Sequence, residues 1–133
     1  MILWEVDTIK GVSRGSIRTR SQIVTDWIDV AALADLPNRR PVRVAVEDAT
    51  VLLLKAGDEF FAIGNHCTHQ GAPLDKGVVK MAGSVRSVTC PAHGSMFRLD
   101  DGKVMRPPAT KPVPVYDVKV EDGRVWARPR ELF

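Results

Sequence analysis

Short runs of apolar residues, separated by turn residues, extend along most of the chain. From Pro41 to Glu47 valines alternate with other residues, which is the period-two pattern of a strand with one buried face. Val51 to Lys55 forms a nearly continuous apolar run, and Glu59 to Ile63 follows a Gly-Asp turn. Short segments at this spacing predict an all-β fold, an antiparallel sandwich or barrel rather than a parallel α/β sheet.

Two later stretches predict hairpins. Gly77 to Thr89 places valines on two arms around Gly83-Ser84. Ala109 to Trp126 leads through Asp122-Gly123, a dipeptide that favours a two-residue turn. Earlier in the chain, Ala31 to Leu36 predicts a short helical turn.

Residues 1–24 carry a weaker pattern. Apolar residues between Met1 and Val6 predict at most a short strand, and the arginines that follow lie among Ser, Gly and Thr. The segment is either an arm that packs on the domain or docks a partner, or a partly ordered extension with solvated charges, and we favour the extension. The predicted organisation is an N-terminal extension, residues 1–24, and one domain, residues 25–130.

Composition limits the class of protein. A chain of 133 residues can form one domain with a hydrophobic core. No apolar run reaches the roughly 18 residues of a membrane span and no signal peptide is recognisable, so we expect no membrane partner and a cytoplasmic location. Nineteen basic and sixteen acidic residues indicate a mixed solvated exterior. In residues 1–24 basic and aromatic residues are not interleaved, and no nucleic-acid partner is predicted.

Both cysteines and all three histidines lie between His66 and His93. They form two blocks, Cys67-Thr68-His69 and Cys90-Pro91-Ala92-His93, each pairing a thiolate with an imidazole donor. This pattern predicts a metal site. A disulfide would leave the histidines unexplained, and a structural zinc site usually keeps its cysteines together. One Cys and one His per loop favours a [2Fe-2S] cluster with thiolates on one iron and imidazoles on the other.

The two blocks resemble the signature of the Rieske ferredoxins, C-x-H followed after a spacer by C-x-x-H. The resemblance extends from about Asp26 to about Arg128 and includes EFFAIGN, GAPLDKG, HGSMFRLDDGKV and the proline stretch RPPATKPVPVY. The spacer between His69 and Cys90 has twenty residues, slightly more than is typical. The resemblance implies an all-β base domain, a Rieske-type antiparallel sandwich or barrel, with a small cluster-binding subdomain at its tip.

The same resemblance implies a cofactor and its ligands. Loops at about residues 64–75 and 89–97 are expected to hold one [2Fe-2S] cluster per chain. His66 stands one residue ahead of the first ligand and is expected to have no metal role. The implied ligands are Cys67, His69, Cys90 and His93.

The family resemblance implies an electron carrier rather than an enzyme. The leading hypothesis is a ferredoxin that passes electrons from a flavin reductase to the terminal oxygenase of a dioxygenase system. A second hypothesis is the small subunit of a larger oxidoreductase such as an assimilatory nitrite reductase, and a third is a zinc-stabilised binding module. A terminal oxygenase needs a second, mononuclear iron site, and three histidines are too few for both sites.

Several neighbours of the ligands set expectations for the potential. Ser95 matches a serine that in high-potential relatives points its hydroxyl at a cluster sulfide, whereas Phe97 replaces their tyrosine. Ala72 and Ala92 stand where those relatives have a disulfide. We therefore expect a midpoint in the low-to-middle part of the Rieske range of about −150 to +300 mV.

Other neighbours set expectations for loop structure and docking. Gly71 and Gly94 are expected either to bring N–H groups close to the cluster or to act as turn residues. An apolar rim of Pro73, Leu74 and Pro91 is expected to form a small docking patch around the histidines. The proline stretch is expected to shield the cluster from one side.

Overall fold

The computed structural model describes residues 27–130. This part of the chain contains ten β-strands and two one-turn 3-10 helices, Leu33–Asp35 and Leu74–Lys76. The strands, in chain order, are β1 Ile28–Ala32, β2 Val42–Val46, β3 Ala49–Ala56, β4 Glu59–Gly64, β5 Val78–Ala82, β6 Val85–Thr89, β7 Met96–Arg98, β8 Val104–Arg106, β9 Tyr116–Glu121 and β10 Arg124–Pro129.

The strands form three sheets in which every strand pair is antiparallel. The strand orders are β1-β10-β9, β2-β3-β4 and β5-β6-β7-β8. This architecture confirms the predicted all-β class. Among residues 27–130, no helix is long and apolar enough to cross a membrane.

The sheet β2-β3-β4 is the central layer of the fold. Val51, Leu52, Leu53 and Leu54 in β3 are all at most 1% exposed. Leu53 packs in one core with residues of β9 and β10, whereas Leu52 and Leu54 pack in a second core with residues of β6 and β7. Because both faces of β3 are covered, its sequence is a continuous apolar run rather than an alternating one.

The base domain consists of the first two sheets and the core between them. That core contains Leu53 and Ala62 from the central sheet and Tyr116, Val125 and Ala127 from the outer one. The four-stranded sheet β5-β6-β7-β8 forms the smaller subdomain on the opposite face of the central layer. The two predicted parts, a base domain and a smaller subdomain, are thus both present, and the subdomain packs on a face of the central layer.

Both predicted hairpins are present, and their turns have the expected backbone. Asp122 and Gly123 have φ values of 55° and 76°, as in a type I′ turn, and join β9 to β10. Gly83 has a φ of 60° at the turn between β5 and β6, where Ala82 pairs with Val85. The β5–β6 hairpin lies within the twenty-residue spacer between the two ligand blocks.

The structure differs from the sequence predictions at short elements. The predicted helical turn from Ala31 to Leu36 is reduced to Leu33–Asp35, because β1 continues through Ala32 to pair with β10. Strands β7 and β8 have three residues each, too few for an alternating pattern to be recognised. The predicted extension at residues 1–24 lies outside the described residues.

Candidate metal centre

The two predicted ligand loops share one backbone hydrogen-bonding pattern. In the first loop, the Cys67 N–H donates to the Ala72 carbonyl at 2.9 Å and the Gly71 N–H donates to the Cys67 carbonyl at 2.7 Å. The cysteine thus bonds to residues four and five positions later. This arrangement folds the chain back on the cysteine, with His69 inside the turn.

The second loop repeats the pattern at the same offsets. The Cys90 N–H donates to the Ser95 carbonyl at 2.7 Å, and the Gly94 N–H donates to the Cys90 carbonyl at 3.2 Å. Gly71 and Gly94 have φ values of 79° and 80°, a region that favours glycine. Since their N–H groups bond to the cysteine carbonyls, the contacts favour the interpretation of both glycines as turn residues.

The two cysteines are buried and close to the same core. Cys67 and Cys90 are each 3% exposed and belong to the cluster that also holds Leu74, Val88 and Phe97. Both are free cysteines, so the alternative of a disulfide between them is wrong. The fold therefore directs two sulfur donors toward the interior end of the site.

The two predicted histidine ligands lie together at the surface. His69 and His93 are exposed, and their ring centroids are 5.2 Å apart at an interplanar angle of 84°. His66 has a different contact, because its Nδ1 lies 3.2 Å from the Gly71 carbonyl. A carbonyl only accepts, so this contact requires a proton on Nδ1 of His66. The third histidine thereby braces the first loop.

This donor set suits two metal ions better than one. A structural zinc site needs all four donors around one ion, at about 2.0–2.3 Å. Between residues 27 and 130, no group of three or more Cys, His, Asp or Glu side chains is arranged to hold a single ion. Each iron of a [2Fe-2S] cluster needs only two protein donors. Two buried thiols and two neighbouring surface imidazoles fit that division.

A polar pair closes the base of the first loop. The Asn65 Nδ2 donates to Asp75 Oδ1 at 2.7 Å, and the Asp75 N–H donates to Asn65 Oδ1 at 2.9 Å. The Leu74 N–H also donates to the Asn65 carbonyl, and Asn65 is only 1% exposed. Sequence reasoning missed this pair, although the buried-strand context of Asn65, directly after EFFAIG, was an available signal.

Gly77 brings the ends of the two loops together. A Cβ atom on this residue would lie 1.9 Å from the carbonyl oxygen of Thr89, the residue before Cys90. Its φ is −87°, so the requirement here is space rather than a left-handed backbone. Only glycine allows the chain leaving the first loop to pass this close to the start of the second.

The proline stretch is hydrogen-bonded to both loops. Thr68 Oγ1, between Cys67 and His69 in the first loop, donates to the Lys111 carbonyl at 2.7 Å. The Ala109 N–H donates to Ser95 Oγ in the second loop at 3.0 Å. Residues 106–114, named here the proline loop, therefore pack against the site through one hydrogen bond to each ligand loop.

The predicted apolar rim needs one correction. Leu74 is fully buried in the core beneath the first loop, so its assignment to the rim is wrong. The one-turn helix Leu74–Lys76 turns this side chain inward, where apolar contacts replace water. Pro91 and Ala92 are exposed and Pro73 is partly exposed, so these residues supply the apolar surface near the histidines.

The fold and the site together define a class: an all-β protein with two matched Cys/His loops beside a core that the central sheet shares. The sequence profile of the Rieske-like [2Fe-2S] domain matches residues 26–128. The chain belongs to this family, and its cofactor is a [2Fe-2S] cluster.

Individual proteins show the same similarity. The ferredoxin component of the naphthalene 1,2-dioxygenase/salicylate 5-hydroxylase systems of a Ralstonia species is 35% identical over 103 residues, 77% of this chain and 95% of the relative. The ferredoxin of carbazole 1,9a-dioxygenase from Nocardioides aromaticivorans IC177 superimposes with a TM-score of 0.73 at 30% identity, over 80% of this chain and all of that one.

A second group of structures has a different assignment. A Mycobacterium tuberculosis protein assigned as an NADH-dependent nitrite reductase small subunit superimposes with a TM-score of 0.69 at 29% identity. The match covers 81% of this chain and 97% of that protein. The same fold is thus found among ferredoxins and among proteins assigned as enzyme subunits.

Proposed function

We propose that Cys67 and Cys90 bind one iron of the cluster and that His69 and His93 bind the other. The observation that carries this assignment is the matched pair of loops. Each loop buries one cysteine, and the ring centroids of the two imidazoles are 5.2 Å apart. When bound, the cluster supplies reversible one-electron chemistry. Four protein ligands leave no open metal position, so the chain is an electron carrier and not a catalyst.

The proposed cysteine ligands are buried and the proposed histidine ligands are exposed, so only the histidine side of the site reaches the surface. Cys67 and Cys90 are held in the core, whereas His69 and His93 reach the surface. Electrons therefore enter and leave at the histidine end, where Pro91 and Ala92 offer a small apolar contact. Small contact areas suit redox partners that must separate quickly.

We propose that the working domain is residues 25–130 and that it acts as the ferredoxin of a dioxygenase-type system. It would take electrons from a flavin reductase and deliver them to a terminal oxygenase. The similarity to the Ralstonia ferredoxin component, which extends over 95% of that protein, supports this assignment. Use of both cysteines as thiolate ligands also supports a reducing compartment, the cytoplasm.

A second candidate function is the small subunit of a nitrite reductase-like enzyme, favoured by the structural similarity to the Mycobacterium tuberculosis protein. The two functions differ in assembly. A ferredoxin purifies alone and accepts electrons from a separate reductase, whereas a subunit co-purifies with a larger polypeptide. Co-purification with such a polypeptide in native extracts, together with loss of reduction in its absence, would favour the subunit.

The test of the proposal is the absorption spectrum of the purified protein and of four ligand variants. The parent should be brown, and dithionite should bleach its visible bands. Cys67→Ser, Cys90→Ser, His69→Ala and His93→Ala should each lose most of the bound iron, because each removes one of two donors to an iron.

His66→Ala is the matched control. This histidine is adjacent to Cys67 and contacts the Gly71 carbonyl through Nδ1, so the substitution removes a loop contact but no proposed ligand. Its spectrum should match that of the parent. A normal cluster in His93→Ala, or a colourless parent that contains zinc, would overturn the assignment.

A further inference from the structure

Charge is distributed unevenly between the two parts of the molecule. Residues 64–114, which contain both ligand loops, the subdomain sheet and the proline loop, have seven basic and three acidic residues, a net charge of +4. The other described residues, 27–63 and 115–130, have eight basic and nine acidic residues, a net charge of −1. The mild net charge of the whole chain thus conceals a basic cluster-binding end.

The three acidic residues do not neutralise that end. The side chain of Asp75 is only 10% exposed and is bonded to Asn65 and to Arg43. Asp100 and Asp101 lie in the turn between β7 and β8, at the opposite end of β7 from the second loop, and Asp101 pairs with Arg98 at 3.8 Å. No exposed carboxylate therefore borders the histidines within residues 64–98.

Four exposed cations lie next to the ligand loops or on the outer face of the subdomain sheet, and we name them the basic rim. Lys76 directly follows the first loop, and the Lys111 carbonyl accepts the hydrogen bond from Thr68. Arg106 is the cross-strand partner of Met96, three residues after His93. Lys80 lies on β5, opposite Ser87. The members of the basic rim are Lys76, Lys80, Arg106 and Lys111.

The basic rim is not paired with carboxylates of residues 27–130, unlike several cations of the base domain. Arg124 bonds to Asp29 at 2.8 Å, and Arg130 bonds to Asp117 at the same distance. No rim residue forms an ion pair with a carboxylate of the described chain. Unpaired charges on one face produce a local potential that acts on an approaching partner.

The same face carries exposed apolar surface. Val78, Thr89, Met96 and Arg106 are consecutive cross-strand partners, so they form one row across the sheet next to the second loop. Val78 is 61% exposed, the largest value among the exposed large hydrophobic residues of the described chain. Exposed apolar and cationic side chains on one face are the composition of a docking patch.

We propose that the basic rim is the docking surface for a redox partner whose contact face is acidic. The inference rests on the proposed electron-carrier function, because the rim lies in the part of the molecule that carries the ligand loops, through whose histidines electrons are expected to pass. Opposite charge on the partner would steer its encounter with this end of the molecule and orient His69 and His93 toward it. Like-charged partners would be rejected at the same surface.

Small charged oxidants report the electrostatic potential near His69 and His93, and they can be used before the partner is identified. In stopped-flow experiments, one reduced protein gives one electron to hexacyanoferrate(III), which becomes hexacyanoferrate(II), or to tris(1,10-phenanthroline)cobalt(III), which becomes the cobalt(II) complex. Raising ionic strength from about 20 to about 300 mM should slow the reaction with the anion about tenfold and accelerate the reaction with the cation.

Charge variants locate the effect. In the double variant Arg106→Gln/Lys111→Gln, the rate of electron transfer to the anionic oxidant should lose most of its dependence on salt. The Lys111→Gln substitution keeps the backbone carbonyl that accepts the hydrogen bond from Thr68. The matched control is Arg40→Gln/Lys55→Gln, because both residues lie at the end of the central sheet away from Gly64, where the first loop begins. Equal effects of the two doubles, or an anion rate that does not fall with salt, would overturn the proposal.

A measurement that needs no electron transfer separates this proposal from the proposed function. The paramagnetic anion hexacyanochromate(III) should broaden the backbone amide resonances of the basic rim before those of the base domain. If the purified protein reduces neither oxidant, the carrier function fails, and selective broadening would still support an anionic docking partner. Uniform broadening would overturn the docking surface. Tighter binding of oligo(dT) than of poly-glutamate would overturn the assignment of a protein partner.

Discussion

Ser95 has an observed role in the fold of the site and a predicted one toward the cofactor. Its side chain is fully buried, and its Oγ accepts the Ala109 N–H at 3.0 Å. Since the oxygen accepts in this bond, the hydroxyl proton remains available for donation. That proton would stabilise the negative charge that the cluster gains on reduction, and so raise the midpoint potential.

Ser95→Ala should therefore lower the midpoint potential by ~20–60 mV, the one-electron equivalent of a typical hydrogen bond. It should also destabilise the protein by roughly 1–3 kcal/mol, because the Ala109 N–H loses its buried acceptor. Potentiometric titration and urea unfolding measure the two effects. Ser84→Ala, at the exposed tip of the β5–β6 hairpin, should change neither value. An unchanged midpoint in Ser95→Ala would exclude a hydroxyl contact with the cluster.

Tyr116 is the only tyrosine of the chain, and it gives the base domain a specific pH response. Burial, followed by the nearby charge of Glu47, raises the pKa of Tyr116 above its ordinary value of 10.0. The folded protein thus holds this proton more tightly than the unfolded chain does. The free energy of unfolding should be unaffected by this group below pH 10 and should fall as the pH rises above it.

The prediction can be measured directly. Ultraviolet absorbance of the phenolate should titrate at a higher pH in the folded protein than in urea, and Tyr116→Phe should remove that part of the alkaline loss of stability. The same titration midpoint in the folded and unfolded states would contradict the prediction.

At the residue scale the sequence predicts candidate donors but not the contacts that support their loops. Cys67, His69, Cys90 and His93 lie in two short local motifs, so their proposal as ligands needs no knowledge of the fold. The partners of these loops are separated along the chain: Thr68 bonds to Lys111, 43 positions later. No alternation or spacing rule connects such residues, and only the fold brings them together.

The proline loop is the element that links the two ligand loops. Thr68→Val removes the hydrogen bond to the Lys111 carbonyl while keeping a side chain of nearly the same shape. We expect a loss of ~0.5–1.5 kcal/mol in the free energy of unfolding, and faster amide exchange in residues 106–114.

Thr68→Ser is the matched control, because it keeps the hydroxyl that donates to the Lys111 carbonyl. Hydrogen–deuterium exchange read by mass spectrometry compares the two variants. Equal exchange of residues 106–114 in Thr68→Val and in the parent would show that the bond does not hold the proline loop.

Strands were predictable in proportion to their length and to the exposure of one face. Val42–Val46 alternates because Val46 faces the core while Arg43 and Ala45 face water. Ala49–Ala56 was recognised as apolar, but only the structure shows that both of its faces are covered. Met96–Arg98 and Val104–Arg106 are fixed by pairing with neighbours rather than by their own sequence.

The whole molecule has two cores, and only one of them includes proposed ligands of the cluster. The base-domain core contains Leu53, Tyr116 and Val125 and no residue of the ligand loops. The second core includes Cys67 and Cys90. Loss of the cluster should thus affect the two halves differently.

Removal of the cluster with a chelator and reductant should leave the base domain folded. Amide exchange should increase in residues 64–77, 89–97 and 106–114, whereas β9 and β10 should keep their protection. Circular dichroism of the strands should change little. Global loss of protection on cluster removal would show that the two cores do not behave independently.

The central claim is that one cluster has two thiolate and two imidazole ligands. It is tested most directly by pulsed electron paramagnetic resonance of the dithionite-reduced protein, grown with 15N-labelled histidine. The account predicts hyperfine couplings from two inequivalent histidine nitrogens, and loss of the cluster signal in both His69→Ala and His93→Ala. A paramagnetic cluster without any coupling to labelled histidine would contradict it.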